Sequence, residues 1–235
     1  MLAAGKGVRM QSSLPKVLHP LSEKPLIQHV LDNIRDAGIS EIVVVIGYEG
    51  SQVQQAVGDT VTCVWQHEQL GTGHAVMQAR PVLQDYDENV LVACGDVPLI
   101  RPGTFRALAE AADDPSVGAV VLTMIVDDPT GYGRIVRDDA GYLSRIVEHK
   151  DASEDIRAIK EVNTGTYVFN TRDLFNGLAT INTDNAQGEY YLPDALQYIR
   201  NNGRKVALVT LEDPVEGSGI NSREDLEYLE SIIHT

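Results

Sequence analysis

The sequence predicts an α/β protein built on a doubly wound, mainly parallel sheet with a small mixed-sheet insertion. Three observations carry this. Short β-branched runs alternate with amphipathic stretches through residues 1–126. Those runs are largely apolar on both faces, as strands covered by helices on each side must be. Between about residues 127 and 170 the alternation gives way to turn-punctuated strands, the pattern of a hairpin or small mixed sheet. At 235 residues and 43% hydrophobic, the chain buries one sizeable core, so a single domain over 1–235 is expected.

The elements follow in order. A glycine-rich loop in such a sheet leaves a buried strand, yet only Met1 and Leu2 precede Ala3-Ala4-Gly5, so a truncated first strand is expected. Residues 25–37 place Leu26, Ile27, Val30, Leu31 and Ile34 on one helical stripe that stops at Gly38. Strands are predicted at 42–46, 61–65, 90–94 and 117–126, and helices at 50–57 and 102–112. DPTGYGRIV and DDAGYLSRIVE mark the insertion, expected to form one wall of a site. Residues 189–201 and 223–233 read as helices, with a late strand at 206–211 between them.

A net charge of −15 argues against a broad nucleic-acid or anionic-membrane surface, because such surfaces gain affinity by neutralising phosphates with Lys and Arg. No stretch approaches the roughly 18 apolar residues of a spanning helix, and no basic segment with an apolar h-region opens the chain. The two cysteines, Cys63 and Cys94, lack CxxC spacing, which fits a reducing, cytoplasmic location. Neither HExxH nor a GxSxG elbow is present, which disfavours zinc and serine hydrolases.

The opening loop AAGKGVRM is neither a Walker A sequence nor GxGxxG. It offers small residues that let backbone N–H groups approach an anion, and Lys6, Arg9 and Lys16 follow within eleven positions. From its glycines alone, a tight turn with solvated cations is equally expected. Asp96 stands just past a buried strand between Gly95 and Pro98, where open α/β sheets bind ligands. A lone carboxylate there suits Mg2+, which keeps several waters and is completed by substrate phosphates. A turn-capping aspartate is the commoner alternative. The stretch from Gln66 through Gly71, Thr72 and Gly73 follows a strand and opens a helix. Its Gln amide and backbone N–H groups match a uracil edge, although helix capping by Thr72 accounts for the spacing equally simply.

Taken together, LAAGKGVRM, LPKVLH, QLGTGHAV, GDVPLI, DPTGYGRI, EHKDA, EVNTG, NAQGEYY and GINSR resemble the sugar-nucleotide pyrophosphorylases over nearly the whole chain. The resemblance is strongest to the uridyltransferase domain of the bifunctional bacterial N-acetylglucosamine-1-phosphate uridyltransferases. It implies a Rossmann-like fold of the nucleotide-diphospho-sugar transferase type, in a cytoplasmic enzyme. The reaction it implies is formation of UDP-N-acetylglucosamine and pyrophosphate from UTP and N-acetylglucosamine 1-phosphate, with Mg2+. By the same resemblance Leu2, Ala3, Ala4 and Gly5 would line the nucleotide, and Gln66, Gly71 and Thr72 would read uracil. Arg9 and Lys16 would act on the phosphates. Asp96 and Asn221 would hold the metal, flanked by Cys94 and Gly95 on the sugar side, and Gly133, Glu148 and Asn163 would contact the sugar.

Cys94 stands where some relatives carry Tyr, and Pro193 where Thr is frequent. The β-helical acetyltransferase half typical of those enzymes is not found in the sequence, so no acetyl transfer and a monomer are expected. Two alternatives remain: a pyrophosphorylase of other sugar or nucleotide specificity, and a non-catalytic nucleotide-sugar binding module.

Overall fold

The computed structural model describes residues 1–233. The elements in chain order are β1 (Leu2–Ala3), β2 (Pro20–Leu21), β3 (Lys24–Pro25), α1 (Leu26–Asp36), β4 (Val43–Ile46), α2 (Gly50–Val57), β5 (Thr62–Trp65), α3 (Thr72–Met77), α4 (Arg80–Leu83), β6 (Asn89–Val92) and α5 (Pro102–Ala111). They continue with β7 (Val117–Ile125), β8 (Arg134–Arg137), β9 (Leu143–Val147), α6 (Glu154–Arg157), β10 (Glu161–Asn170), α7 (Thr171–Leu178), α8 (Ala195–Asn201), β11 (Lys205–Thr210) and α9 (Arg223–Ile233).

Strands β1, β4 and β5 form a parallel sheet in the order β1-β4-β5. Although β1 is two residues long, it is bonded on both sides. Val45 N donates to Met1 O at 2.9 Å on one side. On the other, Leu2 N donates to Ala93 O at 2.8 Å and Gly95 N to Leu2 O at 2.9 Å. This Leu2–Cys94 bridge carries the sheet on to the residues that follow β6. The second sheet has the order β11-β7-β10-β8-β9, with β6 also on β10. Here β11 and β7 are parallel, while β10 runs antiparallel to β6, β7 and β8. The parallel half is the one whose helical crossovers were legible in the sequence; β10 reverses direction because it returns from the β8–β9 hairpin.

Double winding shows in the cores. Ile27, Val30, Ile34, Val53, Val57, Phe105 and Leu108, from α1, α2 and α5, pack on one face with Val120 and Leu122 of β7. On the other face Val76, Leu174, Leu178, Leu196 and Ile199, from α3, α7 and α8, pack with Ala119 and Val121. Successive β7 residues thus feed opposite cores, which is why the strand is apolar throughout. Among the described residues no helix is long and apolar enough to cross a membrane.

Besides the short β2–β3 hairpin, α4 and α6, none of which was expected, two longer helices differ from expectation. The helix predicted over 189–201 begins only at Ala195, preceded by a 3-10 turn at Leu192–Asp194. Pro193 has no N–H to donate to the carbonyl of Glu189, so a helix starting at residue 189 would lack that bond and clash with the ring, and the Tyr190 backbone is engaged elsewhere: its N–H donates to Leu70 O and its carbonyl accepts from Gly73 N, both at 2.8 Å. Helix α7 was not foreseen. It starts directly at the end of β10, where the Asn170 side chain caps it by accepting from Asp173 N at 3.2 Å.

Candidate active site

The sequence-predicted residues gather at the carboxyl ends of β1, β4, β5 and β6 and at the mouth of the β8–β9 hairpin. Leu2 and Ala3 are β1 itself, and Ala4 and Gly5 lead into the loop. Gly7 takes a left-handed conformation (φ 58°), and a Cβ there would lie 2.6 Å from Cβ of Lys16. The second glycine is therefore required by close approach of the loop to Lys16 as well as by the turn. Arg9 is exposed on the same loop.

Lys16 begins a 3-10 turn after Pro15, anchored by buried Val17. Its Nζ is held by Asp96 and by Oδ1 of Asn221, the latter at 3.1 Å. The Lys16 and Asp96 side chains are only 15% and 16% exposed, so the pair is partly shielded from solvent yet open on one side. Asp96 is fixed by its backbone, whose carbonyl accepts from Ile220 N at 2.9 Å. Asn221 is fixed through α9. Ser222 and Asp225 form a reciprocal cap, with Asp225 N donating to Ser222 Oγ at 3.2 Å and Ser222 N to Asp225 Oδ2 at 2.9 Å. Asp225 Oδ2 also accepts from Asn221 N at 2.8 Å. Residues 16, 96 and 221, remote in sequence, thus meet around the Lys16 ammonium.

Asp96 and Asn221 together present oxygen donors to a single cation. Among the described residues no group of three or more His, Cys, Asp or Glu could hold a metal. One carboxylate and one amide oxygen suit a hard cation that retains several waters and takes phosphate oxygens, so these residues fit Mg2+.

Directly after β5, Gln66 is 3% exposed. Its Nε2 reaches Gly71 O and His74 Nδ1, each at 3.1 Å, so the amide also braces its own loop. Gly71 has φ 106°, and a Cβ there would sit 2.6 Å from Tyr190 O. Thr72 does not cap α3. Its Oγ1 accepts from Leu192 N at 3.1 Å, and Gly71 occupies the cap position without a side-chain bond.

At the mouth of the β8–β9 hairpin Gly133, Glu148 and Asn163 are neighbours. Asn163 N donates to Gly133 O at 2.9 Å, and a Cβ on Gly133 would lie 3.2 Å from Glu148 Oε1. A bulge in β10 between Asn163 and Tyr167 turns Asn163 so that its Nδ2 donates to Tyr167 Oη at 2.6 Å. Burial, aided by Asp151, Asp194 and Glu189, pushes the Glu148 carboxyl up to about 7. Cys94 donates from Sγ to Gly165 O at 3.5 Å, and burial beside Asp96 pushes its thiol up to about 12, which leaves it a neutral packing group.

His74, Tyr167 and Tyr190, to which the sequence assigns no role, act through backbone or through another side chain. Arg134 lies in the DPTGYGRI stretch, with no separate role expected of it. Arg134 is in fact 1% exposed, with its guanidinium donating to the carbonyls of Tyr132 and Arg157 and reaching His149 Nδ1 at 3.3 Å. It ties together the loops on either side of Glu148. A cavity of about 970 Å³ lies at the opposite, amino ends of β4, β5 and β6 and includes Leu2 alone of the predicted residues. It is not where an open α/β sheet builds its site.

Comparison with known proteins bears on this arrangement. Residues 1–186 match the model of the MobA-like NTP transferase domain. The chain is 50% identical over 233 residues to the Bifunctional protein GlmU of Heliobacterium modesticaldum, covering 99% of this chain and 51% of that protein. It is 47% identical to the protein of the same name from Geobacillus sp., again over 99% of this chain and 51% of the relative. With that from Brevibacillus brevis identity is 48%, over 98% and 50%. The chain thus spans about half the length of the curated relatives it matches. With the family model covering most of its length and its predicted site residues converging at the carboxyl edge of the sheet, this chain belongs to the MobA-like NTP transferase domain family.

Proposed function

We propose that the chain is an N-acetylglucosamine-1-phosphate uridyltransferase, forming UDP-N-acetylglucosamine and pyrophosphate from UTP and the sugar 1-phosphate. The observation that carries this reading is the convergence of Lys16, Asp96 and Asn221 beside the opening loop. The adjoining trio of Gly133, Glu148 and Asn163 supports it, as do relatives with the GlmU name along the whole chain.

A phosphate monoester is largely ionised near neutral pH, its second pKa being about 6. The sugar phosphate therefore needs no strong general base to attack the α-phosphorus of UTP; the obstacle is repulsion between anions. Asp96 and Asn221 would hold Mg2+, which when bound supplies charge neutralisation at phosphate oxygens. The backbone of Ala3 to Gly5 would follow the nucleotide, and Arg9 and Lys16 would neutralise its phosphates. Gln66, Gly71 and Thr72 would orient the base, with Gly133, Glu148 and Asn163 holding the sugar so that its phosphate points at the α-phosphorus. Cys94 and Gly95 would form the floor between metal and sugar. The proposed enzyme is cytoplasmic.

The test is pyrophosphate release across UTP, CTP, dTTP and several sugar 1-phosphates, with and without Mg2+. Release only with UTP, N-acetylglucosamine 1-phosphate and Mg2+ is expected. Release with another pair would reassign specificity, and binding without release in every combination would make the chain a binding module.

The raised Glu148 gives a pH signature. Between the ordinary carboxyl value of 4.5 and about 7 the folded chain keeps a proton that the unfolded chain releases. Burial of Glu148 therefore costs stability progressively across that window and fully above it. Sugar hydroxyls donate better to the ionised carboxylate, whose fraction rises roughly tenfold from pH 6 to pH 8 for a group titrating near 7. KM for the sugar phosphate should fall over this range relative to Glu148→Gln. Thermal melts of Glu148→Gln should gain on the parent as pH rises from 4.5 to 7.5. Parallel profiles for the two proteins would remove Glu148 from sugar binding.

A further inference from the structure

We infer that residues 185–192 form a strap coupling the base-reading loop to the sugar-binding turn, and that Asp151 is the positioning residue fastening its sugar end. The inference rests on the uridyltransferase reading, which identifies what those two places hold.

At one end the strap is laced to the base loop by main chain. Tyr190 N donates to Leu70 O and Gly73 N to Tyr190 O, both at 2.8 Å, and Leu192 N donates to Thr72 Oγ1 at 3.1 Å. Gly71 lies so close beneath Tyr190 O that no side chain fits between them. The Tyr190 ring also leans on His74, the residue that contacts Gln66. At the other end both oxygens of Asp151 are used on the strap: Oδ1 accepts from Ala186 N at 2.8 Å and Oδ2 from Tyr191 Oη at 3.2 Å. Asp151 N in turn donates to Glu148 O at 3.0 Å, closing the turn that carries the sugar-site carboxylate.

Between its ends the strap is braced internally. Asn185 Nδ2 donates to Glu189 O at 2.6 Å, Glu189 N to Asn185 Oδ1 at 3.2 Å, and Gln187 Nε2 to Tyr191 Oη at 2.9 Å. A braced segment bonded at both ends moves as a unit. Ordering the base loop around a nucleotide therefore orders the turn carrying Glu148, and the second ligand meets a site already organised. The exposed Lys150–Gln187 bond adds little to this.

The experiment measures the dissociation constant of N-acetylglucosamine 1-phosphate with and without saturating uridine 5′-[α,β-methylene]triphosphate, a UTP analogue that cannot transfer its uridylyl group. In the parent the nucleotide is expected to tighten sugar-phosphate binding at least about fivefold, the lower end of ordinary coupling. Asp151→Ala should bring that ratio to within about twofold of unity while nucleotide affinity alone stays within about twofold. Asp151→Asn, which retains an acceptor for Ala186 N and a donor for the Tyr191 oxygen, should restore most of it. Tyr191→Phe should lower it in part and carries the test if Asp151→Ala fails to fold by circular dichroism. An unchanged ratio in the folded variants, or a ratio of one in a parent that binds both ligands, overturns the strap. A parent that binds neither ligand overturns the uridyltransferase reading itself, and the strap with it.

Discussion

Asp96→Ala is expected to lower UDP-sugar formation about 10²–10³-fold, the cost of removing a preorganised charge contact from such a site, while leaving the fold intact. Asp96 lies past the end of β6 with its side chain facing Lys16 rather than either core. Truncation therefore opens no apolar cavity. Its structural cost is the loss of one partner for Lys16, which keeps Asn221 and reaches solvent, so the melting temperature should move by only a few degrees. The decisive second readout is Mn2+ binding followed by electron paramagnetic resonance, which should weaken in parallel with turnover. A folded Asp96→Ala protein releasing pyrophosphate at a near-parental rate would show that the carboxylate holds no catalytic cation.

The parallel half of the fold was legible because its periodicity is strong. The α1 stripe places all five expected residues in the core, and β7 is buried along all but its last position. The reversal of β10 was not legible, since an apolar strand buried on both faces carries no sign of direction. Candidates for the site were legible where the proposed chemistry lies in the side chain: a carboxylate after a strand, cations beside glycines. The braces were not. Tyr190 acts through its own N–H and carbonyl, which every residue but proline possesses, and Asp151 resembles any loop aspartate until Ala186 and Tyr191 are folded against it. The glycines fall between these cases. Gly7 and Gly71 were visible as turn residues, but the reasons that exclude a side chain, the stem of Lys16 and the carbonyl of Tyr190, arrive only with the tertiary structure.

Lys16→Met should lower kcat about 10²-fold with a smaller change in KM for UTP, because the interaction grows as charge develops on the transferring phosphoryl group. Methionine is the informative replacement: it keeps the aliphatic stem that packs beneath Gly7 and removes only the ammonium. The loop should then retain its shape, and the loss measures charge rather than collapse. Lys16→Arg is expected to recover little. The guanidinium is longer and planar, and the space is set by Asp96 on one side and Asn221 on the other, both matched to a compact ammonium. Exposed Arg9 does not substitute, since it lies on the solvent side of the same loop. If Lys16→Met stays within about fivefold of the parent kcat, far short of what a charge contact of this kind contributes, then Lys16 serves to hold Asp96 and Asn221 in place, and the phosphate charge must be met by the loop backbone and Arg9.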